Sequence, residues 1–239
     1  ADQGCCGAVS HHQGQLEQTR GLANDLVRSF EAAAGVEGLD AVLVAASGCS
    51  HTMKAYNAIL AEGPDADTDE ETGFPWPVQD VHEFLAARGL SDGFRRSLQP
   101  LPIAVAYHDA CHMIHGQGIA AQPRQLLRAI PELELREATE AGVCCGSAGI
   151  YNLVQPAEAA ELGQIKAQTL SGTGASVIAS ANIGCSLQLR RHLEVDGPEV
   201  RHPMQLLARS AGLSAPQSDC PPGEQANQRI NAERRRSIA

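Results

Sequence analysis

"ASVIASANIGCSLQL", residues 175–189, passes from a short apolar run into small residues that carry a cysteine, and then into a helical pattern. A continuous apolar run of this length, closed by Asn, Gly and Cys, reads as a buried strand feeding a turn, and "SLQLRRHL" opens the next helix. The same plan recurs twice upstream. "DAVLVAASGC" (40–49) is a strand running into a turn that holds Cys49, and "LPIAVAYHDAC" (101–111) is a strand ending at Cys111. Strand, cysteine-bearing turn and helix in repetition predict an α/β fold, with small, mainly parallel sheets flanked by helices and cysteines at the strand ends.

The intervening segments fit that frame. Residues 12–34 place Leu16, Leu22, Leu26, Val27 and Phe30 at helical spacing before Gly35, and a further helix is expected from Thr52 to about Leu60. Residues 62–77 are rich in acids and proline and lack bases, so they predict a solvated loop whose exit Phe74 and Trp76 anchor. Helices are expected over 78–89, 120–130 and 156–170, the last opening on Pro156, and "ELELREA" (132–138) predicts a short strand leading to a turn at Cys144 and Cys145. After about residue 213 the chain is polar, proline-bearing and without apolar periodicity, which predicts a disordered tail with Cys220 as a free thiol.

The chain also repeats itself. "GCCGAVSHHQG" (4–14) mirrors "GVCCGSAGIYN" (142–152); the cysteine pairs lie 139 residues apart, and Cys49 and Cys185 lie 136 apart. Two separate features matched within three residues predict two like units: 1–100, 101–212, then the tail 213–239. The second unit has Cys111 ahead of its pair, whereas a counterpart in the first would fall before residue 1. With Ala1 rather than Met at the start, this predicts a first unit truncated at its N-terminus.

Bulk composition excludes several classes. A net charge of -10 argues against a nucleic-acid surface, which needs clustered Lys and Arg. No run approaches the roughly 18 to 20 apolar residues of a membrane span, and no signal sequence is seen, so the expected location is the cytoplasm or the inner face of the cytoplasmic membrane. Eight cysteines in a chain of this length without a signal favour metal binding or redox chemistry over structural disulfides. Adjacent cysteines rarely reach the Cα separation of about 4.4 to 6.8 Å and the torsion that an unstrained bridge needs.

A 4Fe-4S cluster needs about four thiolates gathered from turns, with backbone N–H groups close to its sulfurs. Cys111, Cys144, Cys145 and Cys185, with Gly142, Gly146, Gly149 and Gly184 around them, supply such a set. Structural zinc ranks second, because the C-x2-4-C knuckles it usually takes are absent; a dithiol redox pair or plain buried cysteines rank third. His108 and His112 flank Cys111 and could add a nitrogen ligand or simply line a turn, and the same holds for His11 and His12 after the first pair. Tyr107, Asp109 and Tyr151 are candidates for supporting contacts.

The order Cys, then Cys-Cys-Gly, then Cys after a strand resembles the cysteine-rich CCG domain, found in duplicate in heterodisulfide reductases and their relatives. "CCGSAGIYNL", "ASGCSHTMKAY", "YHDACHMIHGQGI", "QPRQLL" and "ASANIGCSLQL" are together similar to the C-terminal part of glycolate oxidase iron-sulfur subunits, over residues 3 to about 210. In the heterodisulfide reductase pattern each unit closes with C-x-x-C; here Cys49 leads to Thr52 and Cys185 to Gln188, as in the glycolate oxidase branch. The ferredoxin-like region of that branch is not in this sequence.

The resemblance implies an electron-transfer subunit of an oxidoreductase acting on 2-hydroxy acids. A flavin-containing partner would oxidise glycolate to glyoxylate with its own FAD, and this chain would relay single electrons towards a quinone-linked acceptor. Cys111, Cys144, Cys145 and Cys185 would hold one cluster, and Cys5, Cys6 and Cys49 a second metal centre, with zinc an option for one site. Lactate-utilisation or heterodisulfide-reductase-type complexes, and a zinc-stabilised scaffold, are the rival expectations. No general base or nucleophile is implied.

Overall fold

A computed structural model describes residues 3–35, 38–61, 74–139 and 142–213. The expected tail beyond Leu213, Cys220 with it, and most of the acidic stretch 62–77 lie outside the described residues. The first half runs α1 (Ala8–His12), α2 (Leu16–Ala34), β1 (Val42–Val44), α3 (Ser47–Lys54), α4 (Tyr56–Ala61), β2 (Val78–Asp80), α5 (Val81–Arg88) and α6 (Asp92–Ser97). The second runs β3 (Ala104–His108), α7 (Cys111–Gln117), α8 (Ala121–Arg128), β4 (Glu134–Arg136), α9 (Tyr151–Val154), α10 (Pro156–Ser171), β5 (Val177–Ser180), α11 (Ile183–His192), β6 (Glu199–Arg201) and α12 (Pro203–Ser210).

Every strand pairing is parallel, as the recurring strand-to-helix pattern requires. The larger sheet has the order β4-β3-β5-β6, and the smaller pairs β1 with β2. β5 is buried at all four positions because helices cover both faces, which is why its sequence shows no alternation. Period 2 nonetheless sorts its side chains. Val105, Tyr107, Val177 and Ala179 join Leu127, Leu206 and Leu207 on one face, while Ala106 and Ile178 meet Leu170, Leu189 and Val200 on the other. Full burial of one such side chain, Ile178 for example, contributes about 1.5–3 kcal/mol. In the first half Ala23, Leu26, Val42, Tyr56 and Ile59 form a separate core. Phe74 closes it as expected, packing edge-on against Phe30 and Tyr56, each at 5.7 Å, and against Trp76 at 5.5 Å.

Several boundaries differ from the sequence expectation for local reasons. The helix expected over 12–34 starts only at Leu16: His12 ends the short α1, and between them Gly14 adopts a left-handed φ of 72°. The segment expected as a helix over 78–89 begins with β2, and Asp80 then caps α5 by accepting the His82 backbone N–H. A three-residue strand is too short to leave a period. The helix expected from Thr52 begins earlier and breaks at Ala55. Cys49, Cys111 and Cys185 lie not in turns but within the first three residues of α3, α7 and α11. In each case the residue before the helix, Ala46, Ala110 or Asn182, is extended and completes the strand-to-helix corner.

Candidate functional site

The sheet order places β3 and β5 side by side, with β4 outside one and β6 outside the other. The chain therefore leaves these two central strands in opposite directions. In parallel α/β sheets this switch point opens a crevice beyond the carboxyl ends of the strands, and ligands bind there. Cys111 follows β3 and Cys185 follows β5, so both stand at that crevice, and the loop after β4 brings in Cys144 and Cys145.

The four thiols touch in a chain. The Cys144 thiol hydrogen-bonds with those of Cys111 and Cys145, and Cys145 with Cys185. Cys145 and Cys185 are buried among Ala110, Met113, Ile119 and Ala181, while Cys111 and Cys144 are half-buried. A small cavity lined by all four, His108 and Gly142 opens between them. The Gly146 N–H donates to Cys144 Sγ at 3.3 Å.

Electrostatics distinguish the first proton from the rest. Hydrogen bonds from Cys111 and Cys145, helped by the Gly146 N–H, hold the Cys144 thiol far below its ordinary value. The same hydrogen bond, together with burial, pushes Cys111 up, and hydrogen bonds to Cys144 and Cys185 with burial push Cys145 up. One thiolate forms readily and then opposes its neighbours, so four can be ionised together only around a cation. The set therefore fits a thiophilic metal group: soft donors, sheltered, with a backbone donor on one sulfur.

His108 stands beside them, with a ring nitrogen and the sulfurs of Cys145 and Cys185 all within 4.8 Å of one another. Burial, and then the charge of Lys166, lowers its pKa to about 4, so it is neutral, and its Nδ1 lies 3.3 Å from Ser180 Oγ. Of the two expectations for His108, the structure leaves nitrogen donation to a metal group geometrically open. Tyr107 and Asp109 support the strand end instead. Arg124 binds Asp109 through two contacts, of 2.8 and 2.7 Å, and its guanidinium lies over the Tyr107 ring at 4.7 Å. Tyr151 opens α9 on the way out of the Cys-Cys-Gly turn.

The first half builds a smaller version of the same arrangement. Cys5, Cys6 and Cys49 converge: Cys6 hydrogen-bonds with Cys49 and Cys5, which brings its pKa down to about 6. Gly7 N–H lies 3.5 Å from Cys5 Sγ, the counterpart of the Gly146 bond. Among the described residues three thiols meet here, with Cys5 exposed. Thr52, where a C-x-x-C ending would place cysteine, is buried, and among the described residues its Oγ1 has no hydrogen-bond partner. Gln188, the equivalent position in the second half, donates to the Ala159 carbonyl at 2.9 Å.

The two cysteine regions face each other. His12 of α1, His51 of α3 and His112 of α7 gather in the seam, with ring centroids 4.7 Å apart for His12 and His112 and 5.5 Å for His51 and His112. His112 Nδ1 lies 3.6 Å from Cys111 Sγ. His11 packs on His12 at 5.8 Å. Asn182 ties the regions together: its Oδ1 accepts from the N–H groups of Gly184 and Cys185, and its Nδ2 donates to Ser47 Oγ at 2.9 Å, two residues before Cys49. Gln117 donates to Ser47 O at 3.0 Å and Ser50 Oγ at 2.9 Å, and Ser50 reaches the buried Asp80. Sequence reasoning missed Asn182, Gln117 and Lys166. An Asn one step before an Ile-Gly-Cys helix start was the available signal for the first.

The model of the cysteine-rich domain, CCG, matches residues 1–54 and 105–190. The chain is 33% identical over 216 residues to a probable glycolate oxidase iron-sulfur subunit of Bacillus subtilis, covering 88% of this chain and 47% of the relative. It is 32% identical over 195 residues to a subunit of the fumarate reductase (CoM/CoB) of Methanothermobacter marburgensis, covering 82% and 35%. It is 28% identical over 210 residues to the glycolate oxidase iron-sulfur subunit of Escherichia coli, covering 87% and 49%. The chain thus spans about half the length of these relatives or less. No helix among the described residues is long and apolar enough to cross a membrane.

Proposed function

Because this chain belongs to the cysteine-rich CCG domain family, we propose that it is an electron-carrying iron-sulfur unit of a glycolate-oxidising complex. The observation that supports this is the convergence of Cys111, Cys144, Cys145 and Cys185 at the switch point of the larger sheet. A cluster bound there supplies reversible one-electron chemistry. The chain's own residues do the rest. The four thiols hold the group, the Gly146 N–H and neutral His108 face the sulfurs, and Ala110, Met113, Ile119 and Ala181 keep water out. Cys5, Cys6 and Cys49 would hold a second metal centre, with zinc an alternative occupant there. Hydride removal from the substrate would belong to FAD on a partner, and a quinone-linked carrier would take the electrons onward.

Anaerobic purification followed by iron, sulfide and zinc analysis tests the reading, with glycolate and then lactate offered to the assembled complex as donors. Iron and sulfide at cluster stoichiometry, with bleaching on glycolate addition, are expected. Stoichiometric zinc without iron would sink the electron-transfer reading, and bleaching by lactate alone would move the substrate.

A further inference from the structure

The alternation of β3 does not end with its apolar residues. Val105 and Tyr107 point to one face of the larger sheet, so Ala106 and His108 share the other, where Ala106 packs with Leu170 of α10 and Leu189 of α11. That row ends on a histidine, 2% exposed, at the last residue of the strand. The parallel register sets His108 opposite Ser180, the last residue of β5, which explains the 3.3 Å between His108 Nδ1 and Ser180 Oγ. Both strand ends open on the crevice, and His108 lines the small cavity there together with Cys111, Cys144, Cys145 and Cys185.

These five donors are not equivalent. Cys111 and Cys144 are half-buried, whereas Cys145 and Cys185 are buried. A ring nitrogen of His108 and the sulfurs of Cys145 and Cys185 lie within 4.8 Å of one another, and all three residues are buried. A tetrahedral ion with bonds of about 2.3 Å to sulfur and about 2.0–2.1 Å to nitrogen sets its donor atoms roughly 3.5–3.8 Å apart, so a contraction of about 1 Å seats one ion among the three. A nitrogen suits this end. Each thiol must lose a proton to bind and brings a negative charge to a water-poor place, where charge is costly. A neutral imidazole gives a lone pair, releases no proton and adds no charge. Ser180 Oγ, beside Nδ1, supplies the outer contact that orients a metal-bound ring.

We propose that His108 is a direct nitrogen ligand of the second-half centre, holding one metal ion at its buried end with Cys145 and Cys185, while Cys111 and Cys144 hold the accessible end. The inference rests on the cluster reading of that site and adds a fifth donor to it. The centre is then asymmetric, with mixed nitrogen and sulfur on the enclosed side and sulfur alone on the other.

The test is pulsed electron paramagnetic resonance of the anaerobically purified, dithionite-reduced protein, produced with either ordinary or nitrogen-15 histidine, in wild type, His108→Ala and His112→Ala. Wild type is expected to show a strongly coupled nitrogen that changes with the label. The coupling should be lost in His108→Ala with iron and sulfide retained, and should persist in His112→Ala, although His112 Nδ1 lies 3.6 Å from Cys111 Sγ. A wild-type iron centre without a strongly coupled histidine nitrogen overturns the proposal, as does a coupling that survives in His108→Ala. If His108→Ala fails to fold or to hold its centre, His112→Ala decides: persistence of the coupling supports His108, and its loss overturns the assignment. Zinc in place of iron would remove the cluster reading alone, and the same comparison at the zinc X-ray absorption edge then decides on His108. A wild type that binds neither metal overturns both.

Discussion

The backbone N–H of Gly146 donates to the Cys144 sulfur at 3.3 Å from a left-handed conformation, φ 82°. Gly7 repeats the relation with Cys5, at φ 75°. The Cys-Cys-Gly sequence is therefore a device. The glycine turns the chain back so that its own N–H meets the first sulfur of the pair, which a residue with a side chain does at a cost.

Gly146→Ala tests this directly. The left-handed backbone alone costs about 1–2 kcal/mol, and the new Cβ would lie 2.4 Å from the Ala159 carbonyl oxygen. Gly7→Ala carries the same backbone cost, but its Cβ meets only the Thr19 methyl at 3.3 Å and atoms farther off. Thermal unfolding is expected to show the larger fall in Tm for Gly146→Ala; equal falls would refute the close-packing argument.

Cys144→Ser is expected to abolish metal binding in the second half and leave the fold intact, since Cys144 is half-buried at the crevice and outside the cores of the two halves. Iron and zinc analysis should show loss of one centre, not both, with circular dichroism unchanged. Cys6→Ser, at the equivalent pair, should leave the second-half centre in place. Loss of all bound metal, iron and zinc together, from either variant would contradict two independent sites.

Much of this is legible in the residues, and what escapes does so for physical reasons. The strands around Val105 and Ile178 stand out because both faces are covered and their apolar runs are continuous. The proposed set of Cys111, Cys144, Cys145 and Cys185 is suggested by strand ends and glycines, and the structure brings these thiols together. Cys49, Cys111 and Cys185 sit in helices rather than turns because small residues such as Ala, Ser and Gly serve a turn and a first helical turn alike. Three-residue strands such as β2 and β6 carry no measurable period. The gathering of His12, His51 and His112 joins residues far apart in the chain, which no local pattern records. Lys166 is visible as a charge within α10, but its burial there depends on what the helix packs against.

Acid should remove the cap that His202 places on α12. Its Nδ1 accepts the Met204 N–H at 3.1 Å, capping α12, and its Nε2 meets the Ala45 carbonyl at 2.8 Å, so the neutral ring serves both. Burial, and then neighbouring His82, brings its pKa down from 6.5 to about 4. The unfolded chain therefore binds the extra proton first. The stabilisation is complete above pH 6.5 and is lost as pH falls towards 4. Urea midpoints measured across that range should decline more steeply in wild type than in His202→Asn, which keeps a cap without the titration. A cap of this kind is worth about 1 kcal/mol.

Arg124→Lys should be a severe change. The guanidinium grips Asp109 with two nitrogens, reaches Glu137 at 2.8 Å and covers Tyr107, a geometry the lysine ammonium cannot copy. Asp109 is 5% exposed and sits two residues before Cys111, so losing the fork both destabilises the fold and frees the strand end that leads to Cys111. A double-mutant cycle with Asp109→Asn is expected to return a coupling of about 1.5–3 kcal/mol. A coupling near zero would reduce the pair to a surface ion pair.

Asn182 is the residue whose removal should reach both cysteine regions at once. Its Oδ1 caps α11, which carries Cys185, and its Nδ2 holds Ser47 at the head of α3, which carries Cys49; the Ser47 N–H also donates to Ala181 O at 3.1 Å. Asn182→Asp keeps the cap and removes the Nδ2 donor, whereas Asn182→Ala removes both. The cap alone accounts for about 1 kcal/mol, and the Ser47 bond adds about another 1 kcal/mol. Asn182→Ala should therefore lose more stability than Asn182→Asp. If Ser47 orients α3, Asn182→Asp should also alter the alkylation rate of Cys49 in cluster-free protein, although residue 182 belongs to the other half of the chain. An unchanged Cys49 rate in both variants would make the Asn182 to Ser47 bond a passive contact between the halves.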